Sequence, residues 1–308
     1  MRMKSKYLKT GQVEQLLGNN IKIHFAGSEQ IDFSLIASKA GVKYFLFTCF
    51  PFINRQFGLK GFPITCKTLF PPAEIAKFSK HTIMDSGLFT LMFGACKGQE
   101  ITKDFLKQYT DALIDFVNTN KIKATCVEVD CQKVLGVAEA WEFRQYMRDK
   151  LKNPMINVFH LEDGNKGLDR LIEFSDYIAI SVPELRIHMP KTYKENTHKL
   201  AYYIKNKKPE IDIHLLGCTE PKMLKRNSFC TSSDSTSWQA VNRYGNIMGK
   251  NVRAINPEVK NRCQKQVLEV LAMCGIEPTE KRIDYYSNYY VSALLHKMHY
   301  TKYAGNQD

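Results

Sequence analysis

The chain has no apolar run near the ~20 residues that a membrane span needs. Its longest, "YFLFTCFPFI" from Tyr44 to Ile53, is interrupted by Pro51. There is no CxxC pair among its nine cysteines. The odd count, and an N-terminus that runs into "TGQVEQLLGNN" rather than an apolar signal core, point to reduced thiols and a cytoplasmic setting without a membrane partner. No GxGxxG opens a helix after a strand, and P-loop, HExxH and GxSxG motifs are absent. Dinucleotide-binding, NTPase, metalloprotease and α/β-hydrolase chemistries lose support accordingly. Acidic residues are few beside basic ones, 31 against 44, for a net charge of +13. Such a field attracts polyanions. The basic clusters are Arg2–Lys9, "KNKK" (Lys205, Lys207, Lys208), "KMLKR" (Lys222, Lys225, Arg226) and the tyrosine-rich tail.

What is present is a regular alternation. Eight β-runs are legible: 21–27, 43–49, 81–87, 124–130, 155–163, 177–182, 211–217 and 228–234. Most are continuously apolar, as parallel strands covered on both faces are. Helical periodicity lies between them. "TKDFLKQYTDALIDFVNTN" places Phe105, Tyr109, Ala112, Leu113, Phe116 and Val117 on one face, with Thr102 as N-cap. Beyond the last run, a helix carrying Cys263, Val267, Val270, Leu271 and Cys274 stops at Gly275, and another starts at Thr279. The pattern predicts an α/β fold, a (β/α)8 TIM barrel over about 20–250 with a C-terminal helical extension over about 256–308, as one catalytic domain. A doubly wound open sheet is the alternative.

In a barrel, chemistry sits where strands end. Those ends offer Asp85, then Glu128 and Asp130, then His160, Glu162 and Asp163, then Ser181 and Glu184, then Gly217, then Ser232, Ser233 and Asp234. Any one Asp there could simply cap the next helix. Carboxylates converging on one rim could instead do glycosidic chemistry, one as nucleophile and another moving a proton.

The segments at these strand ends resemble the tRNA-guanine transglycosylases. "MDSGLF" (84–89) is similar to their "DSGGF", "IAISVPE" (178–184) to their "GLAVGE", and "HLLG" (214–217) to their "LMG". "VEVDC" (127–131) and "SSDSTSW" (232–238) fall where those enzymes carry a base-binding Asp and the nucleophilic Asp. "HFAGSE" (24–29), "DSGLF" and "SSDSTSW" look closer to the DpdA-type branch, which exchanges guanine in DNA for a 7-deazaguanine and includes phage members. Two positions depart from the pattern: Leu88 replaces the second glycine of "DSGGF", and Pro183 removes a backbone donor.

The resemblance implies a DNA guanine transglycosylase of bacterial or phage-infected cytoplasm. Asp234 would be nucleophile, and Asp85 would recognise the base and shuttle protons. Asp130, Gln132, Ser181, Val182, Gly217 and Phe89 would contact the base. Lys205, Lys207, Lys208, Lys222, Lys225, Arg226 and Trp238 would hold the nucleic acid. The partners would be single-stranded or flipped-out DNA and a preQ0-like base. No cofactor is required by that chemistry. The family's zinc motif CxCxxC is missing, and only Cys263, Cys274, His296 and His299 could stand in for a structural zinc. The alternatives are action on tRNA and a non-catalytic nucleic-acid-binding barrel.

Overall fold

Eight strands, all parallel, close into a barrel in the order in which they occur in the chain. The computed structural model describes residues 20–60, 66, 68–97, 100–252 and 257–308; the basic cluster Arg2–Lys9 lies outside them. The strands are β1 (Lys22–Ala26), β2 (Tyr44–Thr48), β3 (His81–Asp85), β4 (Thr125–Val127), β5 (Met155–Phe159), β6 (Tyr177–Ser181), β7 (Asp212–Leu216) and β8 (Ser232–Ser235). Seven fall within runs read from the sequence, and β8 starts inside the eighth and passes its end by one residue, Ser235. β1 closes the barrel by pairing with both β2 and β8, with His24 opposite Asp234.

Helices follow the strands: α1 (Ile31–Lys39), α2 (Pro71–Phe78), α3 (Lys103–Thr119), α4 (Val137–Lys150), α5 (Gly164–Phe174), α6 (Val182–His188), α7 (Tyr193–Lys207) and α8 (Pro221–Arg226). After the barrel come α9 (Pro257–Met273) and α10 (Glu280–Ala304). This is the (β/α)8 barrel with a helical extension that the alternation dictates; the open-sheet alternative is excluded by the β1–β8 pairing. Local chemistry starts the helices where expected. Thr102 Oγ1 accepts the amide of Phe105 at 3.2 Å, and Thr279 Oγ1 that of Arg282 at 3.3 Å. α3 buries Leu106, Tyr109, Leu113 and Val117 against the sheet, a 3.6-residue stripe. Among the described residues, no helix is long and apolar enough to cross a membrane.

The barrel interior is layered. Its middle is apolar, built from Ala26, Leu46, Ile83, Val127, Val158 and Ala179, apart from the larger core between sheet and helices. Below it, toward the strand starts, the lining turns polar: His24, Tyr44, His81, Thr125, Tyr177 and Ser232 border a cavity of about 680 Å³ at the N-terminal mouth. Burial depresses the pKa of His24 and of His81, favouring neutral rings that bond to each other at 2.8 Å.

α10 packs over the β1–β8 side of the barrel, against α1, α8 and α9. Trp238, fully buried, donates from Nε1 to the carbonyl of Ala26 at 2.9 Å, and Ser292 of α10 donates to the carbonyl of Trp238 at 2.7 Å. Gln307 completes the attachment, accepting the amide of Ile23 and donating to the carbonyl of Ile21. A buried indole with its N–H satisfied is a packing element. Trp238 therefore does not present a stacking face to nucleic acid.

Candidate active site

The C-terminal mouth begins with Asp85. β3 ends there, and the Asp85 carboxylate accepts the amide of Gly87 at 2.7 Å. Gly87 has φ +78°, and a β-carbon on it would stand 2.7 Å from Thr48 Oγ1 and 2.8 Å from Phe50 Cβ. Both the conformation and the space demand glycine. Asp85 is thus aimed by its own turn, and it does not cap a long helix. Burial drives its pKa up to about 7, with the charges of Asp130, Asp234 and Glu29 adding to the rise against the Gly87 bond. Carboxylates from strand ends remote in sequence therefore lie within electrostatic range of Asp85. Leu88, in place of a second glycine, is buried, while Phe89 beside it is 74% exposed at the rim.

Asp234 sits on β8. Its Oδ1 accepts two bonds, from the Gly217 amide at 2.8 Å and from His214 Nε2 at 3.1 Å. Gly217 has φ +59°, and a β-carbon there would meet the Pro183 ring at 3.0 Å. Pro183 thus packs against the glycine that holds Asp234.

Asp130 lies in a network the sequence did not disclose. His160 bridges Asp130 at 3.1 Å through Nε2 and Glu184 at 2.9 Å through Nδ1, and Lys133 reaches Glu184 at 3.0 Å. Burial opposes charge on His160, but its two carboxylate partners outweigh that and hold its pKa up at about 10. Burial opposes charge on Glu184 too, but His160 and Lys133 pull its carboxyl down to about 2. Ser181 accepts the Glu184 amide at 3.4 Å, capping α6, and Val182 is buried.

Several rim candidates turn out to serve the frame. β4 stops at Val127, so strict alternation does not carry on to Glu128 and Asp130. Glu128 is fully buried behind the sheet, held by Arg144 Nε at 2.9 Å, Asn157 at 2.6 Å and the Val158 amide at 2.9 Å. Asp163 takes the other side of Arg144 at 3.3 Å and accepts the His160 amide at 3.0 Å. That buried group ties the β4 and β5 ends together, beside Asp130 and His160. Gln132 donates weakly into it, 3.4 Å from Asp163 and from the Val158 carbonyl; its Oε1 is buried without a donor among the described residues.

The basic clusters divide. Lys205, Lys207 and Lys208 end α7 just before β7, so they belong to the opposite, N-terminal face. Lys205 is buried, donating to the carbonyls of Ile211 and Pro209. Lys207 pairs with Asp169 at 3.4 Å and Lys208 with Asp176 at 2.9 Å. These three, expected to hold nucleic acid, thus lie on the face opposite the carboxylates. Lys222, Lys225 and Arg226 are exposed on α8, with Lys222 in its first turn, on the side of the mouth, and Arg226 paired with Glu195 at 2.6 Å.

The four zinc candidates do not assemble. Cys263 and Cys274 are buried on and just after α9, and Cys263 bonds to the Lys260 carbonyl at 3.1 Å. His296 on α10 is bonded to the Ser292 carbonyl at 2.8 Å, and His299 faces Tyr303. Among the described residues, only His160, Glu162 and Glu184 bring three ligand atoms within 4.8 Å of one another. There, both His160 nitrogens already face carboxylates and Lys133 balances Glu184.

By fold the chain is a (β/α)8 barrel whose C-terminal mouth gathers Asp85, Asp130 and Asp234. Compared with protein-family models and with curated proteins, it matches none of either.

Proposed function

We propose that this chain is a guanine transglycosylase acting on DNA, replacing guanine by a 7-deazaguanine of the preQ0 kind through a covalent enzyme–DNA intermediate. One observation carries the reading: Asp234 has Oδ1 held by the Gly217 amide and His214, with its other oxygen left for attack, at the same mouth as Asp85, whose pKa burial raises to about 7 with the charges of Asp130 and Asp234 adding to the rise.

Asp234 attacks C1′ of the guanosine. The C1′–N9 bond breaks, its electron pair goes to the base, and protonated Asp85 supplies the proton, releasing neutral guanine. The incoming base then gives its N9 proton to Asp85 and its electron pair to C1′. The Asp234–C1′ bond breaks and its pair returns to the carboxylate. Two inversions retain configuration. A group with a pKa near neutrality can both give and take that proton. Asp130, braced by His160, accepts from the base edge. Ser181 and Val182 offer backbone groups, Gly217 leaves room, and exposed Phe89 stacks on the base. The target base is presented single-stranded or flipped, with Lys222, Lys225 and Arg226 on the phosphates.

Labelled guanine, single-stranded DNA and tRNA test the reading. Label entering DNA supports it. Entry into tRNA alone makes the polynucleotide wrong, and incorporation into neither favours a silent binding barrel. Asp234→Asn should abolish incorporation while DNA binding survives; undiminished exchange in that variant would contradict the nucleophile assignment.

A further inference from the structure

Behind Asp234 a chain of hydrogen bonds runs down through the barrel. His214 Nε2 reaches Asp234 Oδ1 at 3.1 Å, and His214 Nδ1 meets Ser232 Oγ at 2.5 Å. Ser232 Oγ meets the Tyr177 hydroxyl at 2.5 Å. His214 is fully buried and Ser232 nearly so, and Tyr177 and Ser232 line the cavity at the other mouth. Nε2, facing the carboxylate, is assigned as the donor; with hydrogen on Nε2 alone, Nδ1 accepts from Ser232, and Ser232 accepts from Tyr177. Both donors to Asp234, His214 and Gly217, fall on Oδ1 and leave Oδ2 outside the pair.

We infer that His214 is a positioning residue for the nucleophile: with Ser232 and Tyr177 fixing its tautomer, it anchors Oδ1 so that Oδ2 attacks, and it eases departure of Asp234 in the second displacement. This rests on the transglycosylase reading above. The asymmetry is chemical. A free carboxylate is a stronger acceptor than the carbonyl of a glycosyl ester. The His214 donor therefore stabilises free Asp234 more than the covalent state, making the carboxylate a better leaving group when the second base arrives. Removing the donor favours the trapped intermediate. A side chain that merely filled space would not shift that balance.

The test uses the full chain with a deoxyguanosine-containing single-stranded DNA oligonucleotide, denaturant quenching to count covalent protein–DNA adduct, and labelled guanine to follow exchange. His214→Phe should raise the adduct-to-free ratio about 10- to 100-fold, the worth of one hydrogen bond to a charged group, while exchange slows. His214→Gln, whose amide nitrogen can occupy the Nε2 position, should restore the ratio. Tyr177→Phe keeps the ring and should move it the same way, by about 3-fold, since only one neutral bond further back is lost. If His214→Phe does not fold, Tyr177→Phe and His214→Gln decide the matter. An unchanged ratio in His214→Phe, or in Tyr177→Phe where His214→Phe does not fold, with wild type active, overturns the role of His214 and leaves the transglycosylase reading standing. Wild type that forms no adduct and exchanges no guanine overturns both.

Discussion

The Asp85 carboxylate and the Gly87 amide are 2.7 Å apart, and the turn they share has no room for a side chain at position 87. Gly87→Ala forces a β-carbon into Thr48 and Phe50 at a positive φ. It should cost roughly 1–3 kcal/mol in denaturant unfolding and displace Asp85, so guanine exchange falls along with stability. Wild-type stability in this variant would mean that the turn relaxes freely.

Asp85→Asn separates chemistry from folding through pH. The Asp85 pKa is raised from 3.8 to about 7, so the native state binds its proton more tightly than the unfolded chain does. Wild-type stability relative to Asp85→Asn should therefore fall as pH rises from about 4 to about 7, by of order 4 kcal/mol, and stay level above. Exchange should drop about 100-fold or more and lose its pH limb near neutrality. Unfolding curves and rate profiles for the two proteins check both halves.

Glu184→Gln probes the brace behind Asp130. Glu184 has its pKa lowered to about 2 and His160 raised to about 10, so the pair stabilises the fold between those limits. The variant should lose roughly 1–3 kcal/mol near neutral pH. The deficit should shrink as pH falls from about 4 toward about 2, where Glu184 protonates, and as pH rises toward about 10, where His160 loses its charge. Loosening of Asp130 should appear as a higher KM for the incoming base.

Two charge reversals locate the polyanion. Lys222→Glu, on the mouth side of α8, should weaken binding to single-stranded DNA and reduce the salt dependence by about one phosphate contact. Lys208→Glu, on the opposite face and already paired with Asp176, should leave both nearly unchanged. Fluorescence anisotropy across salt concentrations measures each; the reverse ranking would put the DNA on the other mouth.

The strands were legible because each is a short, mostly apolar run cut off by a turn signal, and the starts of α3 and α10 because Thr102 and Thr279 are ordinary caps. Asp85 and Asp234 were legible because parallel strands share one direction, so their last residues meet. The same rule puts Lys205, Lys207 and Lys208, which precede a strand, on the opposite face. Trp238 misled because exposure is a property of packing, and its indole is claimed by Ala26. His160 was visible at a strand end, but its role depends on Glu184, which arrives from the next strand. His214 needed register: it lies opposite Ser232, and Asp234, two residues further on, shares that inward face. A single sequence carries period-two alternation but not which rung faces which.

The helix that sheathes the β1–β8 seam is fastened by Trp238, Ser292 and Gln307, and it begins only at Glu280. The described residues 240–252 and 257–279 therefore lie between β8 and that helix without being needed to close the cylinder. Insertions or replacements there could recast what approaches Asp234 while the staves stay put, which makes this stretch the natural place for such a scaffold to acquire a new substrate preference.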